Sequence, residues 1–292
     1  MKRNLTLTLL LALFLLPWQP ARPQGSTRYQ VAVCDWMMLK RQKAGALTLA
    51  RAIGADGVEV DMGPLGRREL FDNQLRDKQA ASRFRGMADS LGVKVPSMAM
   101  SGFFAQNLLR RSNHRDLMLD CLATMQALGS GVLFLPLGGS GQAWQQRGAE
   151  RDSMVAVLRL MGDMAYAHGV RIGIRTGGDA RFDKRLLRDI RSRGVGIYYN
   201  LQDAADAHRD ICKELRRLGA KRIVQIHASN TDSVNLPEDQ EIDLPAIRRT
   251  LDRMGWRGWL VVERSRDVNR VRDVKYNFGG NVAYLKEVFE NR

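Results

Sequence analysis

The stretch VRIGIRTGGDARFDKRLLRDIRSRGVGIYYN (170–200) decides the fold. It opens on a short apolar run, RIGIR (171–175), and crosses a Gly-rich turn and a charged helical pattern. It closes on a second apolar run, VGIYYN (195–200). Strand, helix, strand in one short segment is a βαβ unit, whose two strands run parallel. Two further runs follow at similar spacing, RIVQIH (222–227) and WLVVE (259–263). Each of the four ends in a polar residue: Arg175, Asn200, His227 and Glu263. The C-terminal ends of parallel strands are where a (β/α)8 barrel builds its site. Arg175 is the odd member, a cation where such a site would normally want a carboxylate.

The same alternation continues upstream. Strands are expected at Tyr29–Val33, Gly57–Val60, Lys94–Met98 and Gly131–Leu135, then Arg171–Arg175, Val195–Asn200, Arg222–His227 and Trp259–Glu263. The intervening helices are read at Leu39–Ile53, Asp77–Leu91, His114–Leu128, Arg151–Ala167, Lys184–Arg193, Arg209–Leu218 and Leu244–Met254, with an eighth at Val282–Phe289. Several stop at a glycine just before the next strand, as left-handed C-caps do. Eight βα repeats point to a closed (β/α)8 TIM barrel. An open doubly wound sheet would place G-x-G-x-x-G after its first strand, and CDWMMLK stands there instead. The turns LGGSG and TGGD lack the lysine and hydroxyl of a P-loop. They read as βα loops that let backbone approach a ligand.

The chain has 292 residues, 45% hydrophobic and 26% charged, enough for one large α/β domain. Residues 1–24 read as a secretory leader: Lys2 and Arg3, an apolar run Leu5–Leu16, then Pro17 and Pro20. The run is too short for a comfortable membrane span. A secreted or periplasmic barrel over 29–290, without a stable membrane anchor, is therefore expected. The net charge is +15, of which Lys2, Arg3 and Arg22 lie in the leader, leaving +12. A polyanion partner would account for that charge. The arginines are scattered along helices, however, and no aromatic-interleaved basic platform appears, so nucleic acid is not the expected partner. Cys34, Cys121 and Cys212 are far apart with no C-x-x-C, and free thiols are expected of them.

An imidazole and a carboxylate on neighbouring strand ends, His227 and Glu263, suit a divalent metal such as Mn²⁺, Mg²⁺ or Zn²⁺, with Asn200 as a neutral oxygen ligand. The other reading of a strand-end histidine is a hydrogen-bonded structural residue. Glu59 and Asp61 share one side of strand 2 by its period of two. They are read either as binders of substrate hydroxyls or as ion pairs to a basic loop such as Arg67-Arg68. Trp36, Phe103, Phe104 and Trp144 fall in βα loops, where aromatic faces stack on sugar rings or simply pack a loop down. Asp35 is a site acid or a helix cap.

The phrases VAVCDWMMLKR, IGADGVEVDMG, MAMSGFFAQ, LFLPLGGSG, QIHASN and GWRGWLVVERSRD, with YNFGGN after it, resemble the secreted sugar phosphate isomerase/epimerase family of the xylose isomerase-like TIM barrel superfamily. The resemblance runs from about Tyr29 to Phe289. It implies one divalent metal at the C-terminal face, held by Glu, Asp, His and Glu after strands 5 to 8, the two glutamates shuttling a proton between adjacent sugar carbons. His227 and Glu263 match. Asn200 stands where the Asp would be, and Arg175 where the first Glu would be. The family's substrate-binding Arg six residues after the histidine is Ser233 here. A guanidinium repels a divalent ion and, with a pKa above about 12, is a poor base. The metal expectation is correspondingly weakened.

The leading expectation is a sugar-active barrel that isomerises or epimerises a carbohydrate through an enediolate, or eliminates or hydrates a keto-sugar. Glu263 is the base, His227 the polarising or acid group, and Arg175 the holder of an oxyanion. A periplasmic address favours a free sugar or glycoside over a sugar phosphate. The alternative is a non-catalytic sugar-binding barrel with a degenerate metal site. A nuclease of the endonuclease IV kind, the third reading, would need many more strand-end ligands than His227 supplies.

Overall fold

The computed structural model describes residues 28–290. The expected leader at 1–24 lies outside the described residues. Eight parallel strands close into a barrel in sequence order, β1 pairing with β8. They are β1 (Tyr29–Cys34), β2 (Gly57–Asp61), β3 (Ser97–Ala99), β4 (Val132–Pro136), β5 (Arg171–Arg175), β6 (Val195–Asn200), β7 (Ile223–His227) and β8 (Gly258–Val262). Around them lie α1 (Gly45–Ala52), α2 (Lys78–Leu91), α3 (His114–Leu128), α4 (Ala149–Ala167), α5 (Ala180–Ile190), α6 (Leu201–Asp206), α7 (Ile211–Leu218), α8 (Leu244–Met254) and α9 (Val274–Glu290). No described helix is long and apolar enough to cross a membrane. The three cysteines are free, Cys34 and Cys121 buried and Cys212 partly so.

Strand alternation divides the apolar residues into two cores. Val31 and Val33 of β1 join the large cluster between strands and helices, whereas Ala32 and Cys34 join a small cluster inside the barrel with Ala99, Phe134, Tyr198 and Val261. The barrel is narrow, and glycine makes room where a ring crosses it. A Cβ on Gly173 of β5 would lie 2.9 Å from the Tyr198 side chain, so the Tyr198 ring needs Gly173 beside it.

Asp and Asn residues set the helix starts by accepting backbone N–H groups: Asp77 for α2, Asp179 for α5, Asn200 for α6, Asp210 for α7 and Asp243 for α8. Left-handed Gly92, Gly129 and Gly255 end α2, α3 and α8. Several elements depart from the sequence reading, the last helix most of all: α9 starts at Val274, eight residues before the expected Val282. The helix expected from Leu39 starts only at Gly45, because Leu39 and Gln42 sit at φ 58° and 52° and Asp35 holds the Gln42 N–H. α5 starts at Ala180, four residues early, because the aspartate of TGGDA is its cap. β3 is confined to Ser97–Ala99, since Pro96 has no N–H for the ladder and Lys94 makes only an isolated bridge to Gly57. β8 stops at Val262, one residue short, and the Glu263 N–H turns to Ser229 Oγ at 3.3 Å. The short α6 was not expected at all.

Candidate active site

The C-terminal mouth of the barrel holds a cavity of about 390 Å³. Its walls come from the ends of five strands: Trp36 after β1, Ser101 and Phe104 after β3, Arg175 on β5, Gln202 after β6, and Glu263 and Arg264 after β8. Glu263 is the carboxylate among the lining residues, and Trp36 and Phe104 are the aromatic faces. Trp36 lies parallel to Phe134 beneath it, with ring centroids 6.5 Å apart and planes within 5°. That contact fixes the indole against the barrel interior.

Glu263 is held from two sides. Arg175 Nη1 donates to its Oε2 at 3.3 Å, and His227 Nδ1 lies 3.5 Å from the same oxygen. Arg175 is itself anchored on Asp203, with Nη2 at 2.6 Å from Oδ1 and Nε at 3.0 Å from Oδ2. Its guanidinium also lies over the Phe104 ring at 5.4 Å. Burial works against the charge of Arg175, but the Asp203 hydrogen bonds and the Glu263 charge outweigh it and raise its pKa above the ordinary value. The guanidinium is therefore a permanent cation beside the candidate base.

Beneath Glu263, the barrel interior carries a polar ladder. His227 Nε2 meets Glu59 Oε1 at 2.9 Å. Ser97 Oγ and the Tyr198 hydroxyl donate to Glu59 Oε2 at 2.5 and 2.7 Å, and Gln225 donates to Ser97. Burial first, then the Glu59 charge, drives the Tyr198 pKa well up, so the phenol keeps its proton and stays a donor. Ser97 and Tyr198 take one oxygen of Glu59 and His227 Nε2 meets the other, which turns Nδ1 toward Glu263. Among the described residues Nδ1 makes no hydrogen bond.

The expected residues fall into three groups. Glu263, Arg175 and Trp36 line the cavity, and His227 sits immediately behind Glu263, fully buried. Glu59 and Asp61 are both 0% exposed, and their expected contact with substrate hydroxyls does not fit that burial. Glu59 instead orients His227. Asp61 accepts from the Ser101 and Gly63 N–H groups and pairs with Arg41, whose Nε lies 2.6 Å from Oδ2 without hydrogen-bond alignment. Phe103 is buried against Phe71 in the outer core, and its neighbour Phe104 reaches the cavity instead. Trp144 is also buried, packed on Phe182. Asn200 uses its Oδ1 to accept the Asp203 N–H at 3.3 Å, capping α6.

Sequence reading missed Asp203, Arg41, Tyr198 and Arg264. Only Asp203 carried a signal, as an acid three residues past an Asn cap. Asp35 turned out to be a loop organiser: its oxygens accept the Gln42 and Asp61 N–H groups. Its pKa is raised well above the usual range by burial first and by the Asp61 charge second.

A divalent metal fits this donor set poorly. The guanidinium of Arg175 bonds to Glu263, the Asn200 oxygen caps a helix, and Glu59 faces His227 from below rather than from the cavity. Among the described residues, no group of three or more His, Cys, Asp or Glu is arranged to hold a metal ion.

Behind Arg175, β5 is tied down by a second buried acid. Thr176 Oγ1 donates to Asp183 Oδ1 at 2.6 Å. Burial raises the Asp183 pKa from 3.8 to about 7, helped by Glu214 and Asp179 and opposed by the Thr176 bond and Arg209. A carboxyl whose folded pKa lies above its unfolded one stabilises fully below the unfolded value and loses that contribution as pH rises through about 7. Asp183→Asn keeps the acceptor for Thr176 and never ionises. Its stability relative to wild type should therefore rise by about 1–3 kcal/mol between about pH 5 and about pH 8 in urea titrations. A difference that is flat with pH would show that Asp183 titrates normally.

The C-terminal strand ends of this TIM barrel thus form a cavity walled by aromatics, with a carboxylate between an arginine and a histidine. A family model described as xylose isomerase-like TIM barrel matches residues 47–287, and the chain belongs to that family. It is 25% identical over 158 residues to the rhizopine catabolism protein MocC of Rhizobium meliloti, spanning 47% of each chain. It is 37% identical over 70 residues to a 2-epi-5-epi-valiolone 7-phosphate 2-epimerase of Actinoplanes sp., 24% of each chain. The matches thus span about half of the first relative and about a quarter of the second. A D-psicose 3-epimerase crystal structure determined in the presence of D-fructose superposes with a TM-score of 0.71 at 11% identity, over 90% of this chain and 100% of that one. At that identity the likeness is one of fold.

Proposed function

We propose that the protein moves a proton on the carbon beside a carbonyl of a carbohydrate, as an isomerase or epimerase or a related keto-sugar lyase or hydratase. The observation that carries this reading is Glu263, a cavity carboxylate placed between the Arg175 guanidinium at 3.3 Å and His227 Nδ1 at 3.5 Å. Glu263 takes the proton from carbon. The electron pair moves onto the carbonyl oxygen, and Arg175 stabilises the enediolate, the part a metal would otherwise play. Trp36 and Phe104 offer apolar faces to the sugar ring. Glu59 keeps His227 in the tautomer that accepts the proton from Glu263 and hands it back.

Because one carboxylate lines the cavity, proton removal and return on the same face of the sugar are favoured. That is the stereochemistry of an aldose–ketose shift or an elimination. Inversion at one carbon would need a second acid on the opposite face. Mono- and disaccharides, including 3-keto forms, incubated in deuterium oxide with and without Mn²⁺ test the proposal. Deuterium should enter the carbon next to the carbonyl, at a rate that does not depend on Mn²⁺.

The second reading, a sugar-binding barrel without catalysis, is favoured by the ion pair itself, since Arg175 neutralises the base it flanks. It predicts sugar binding by calorimetry with no deuterium entering any sugar that binds.

A further inference from the structure

Three arginines and one carboxylate line the cavity, and the three cations are not equally engaged. Arg175 is occupied by Asp203 and Glu263. Arg41, in the loop after β1, pairs through Nε with Asp61, and no partner is recorded for its two terminal nitrogens among the described residues. Arg264 makes no side-chain hydrogen bond or ion pair among the described residues, though it lines the cavity and is partly buried. Asp232, whose charge it feels, is already held by both Arg266 Nε and Nη2, at 3.1 and 2.5 Å. A half-buried guanidinium left without a partner beside a candidate catalytic carboxylate is a donor fork awaiting an acceptor.

Both cations line the same cavity. β8 and β1 are neighbours in the barrel, so the loops carrying Arg264 and Arg41 rise side by side, while Arg175 stands on β5 across the mouth. A ligand whose reacting carbon faces Glu263 shares the cavity with both Arg41 and Arg264. Trp36 and Phe104 supply the apolar part of the same lining.

We propose that the Arg264–Arg41 side of the cavity binds an anionic group of the substrate, a carboxylate or a phosphate, so that the carbohydrate acted on is a sugar acid or a sugar phosphate rather than a neutral sugar. This rests on the reading of the cavity as a carbohydrate site and departs from the expectation of an uncharged ligand. The charge-assisted bonds supply affinity and set which end of the sugar faces Glu263.

The test is calorimetric and needs no turnover. Glucuronate, glucose 6-phosphate and glucose are titrated into the full chain at one ionic strength. Wild type, Arg264→Gln, Arg264→Lys and a control, Arg147→Gln in a separate cleft, are compared. At least one anionic sugar should bind about tenfold or more tighter than glucose. Arg264→Gln should remove that preference, Arg264→Lys should retain part of it, and Arg147→Gln should leave it intact. Whichever anion binds tighter identifies the source of the charge. Equal binding of glucose, an undiminished preference in Arg264→Gln, an equal loss in Arg147→Gln, or no binding of either anion at millimolar concentration would each overturn the proposal. Failure of the proton-transfer reading looks different: the charge preference would persist with no deuterium entering the bound sugar.

Discussion

Replacing Arg175 with alanine is expected to destabilise the barrel by about 3–5 kcal/mol, the usual cost of removing one member of a buried ion-pair network. The guanidinium is 15% exposed, and its partners Asp203 and Glu263 are 20% and 4% exposed, so solvent and salt screen the network little. Without Arg175 the Asp203 and Glu263 carboxylates lose the guanidinium that joins them. Urea titration at neutral pH reads the effect directly. A loss below about 1 kcal/mol would mean that the pairs behave as exposed ones do. Arg175→Glu sharpens the point, because it sets a third carboxylate beside Glu263 and Asp203. That variant should unfold more readily than Arg175→Ala and should regain stability on addition of Mn²⁺, since a ligand that binds only the folded state raises its stability. Wild type should show no such gain. A stoichiometric divalent ion in purified wild-type protein would defeat the idea that Arg175 stands in for metal charge.

Glu263→Gln should slow deuterium entry into the sugar by about 10²–10⁴-fold, the usual contribution of a positioned general base. The fold should survive the change. The amide keeps the side-chain volume, its oxygen can still accept from Arg175 Nη1, and Asp203 remains to pair with that guanidinium. Sugar affinity should change little, because the binding surfaces on Trp36, Phe104 and Arg264 are untouched. Unchanged exchange in this variant would move the base elsewhere and sink the proposed mechanism. Lost binding together with lost exchange would instead point to Glu263 as a ligand-holding residue.

The barrel was legible because its signals are local. RIGIR and VGIYYN were read to the residue, as were the helix at His114–Leu128 and the one at Leu244–Met254. Each depends on neighbouring apolar periodicity and an Asp or Gly at its end. The failures were local too, but of a kind that spacing does not reveal. Leu39–Gln42 has helical periodicity, yet Asp35, the residue just after β1, captures the Gln42 N–H and holds the chain in a loop. Asn200, read as a metal ligand, proved to be the cap of a helix too short to announce itself.

The strand-end residues Arg175, His227 and Glu263 were visible from sequence for the same reason the strands were: each closes an apolar run, and a parallel barrel gathers such ends at one mouth. Their partners were not visible. Glu59 and His227 are 168 residues apart, and nothing near either one says that β2 and β7 both turn these side chains into the same narrow interior. Phe103 and Phe104 are adjacent and chemically alike, and only the turn of the loop after β3 decides which faces ligand and which packs on Phe71. The sequence by itself determined a (β/α)8 chain with a guanidinium where a carboxylate was expected. Tertiary structure alone decided what that guanidinium touches, because strand register and closure, not sequence distance, set which side chains share the inside of a barrel.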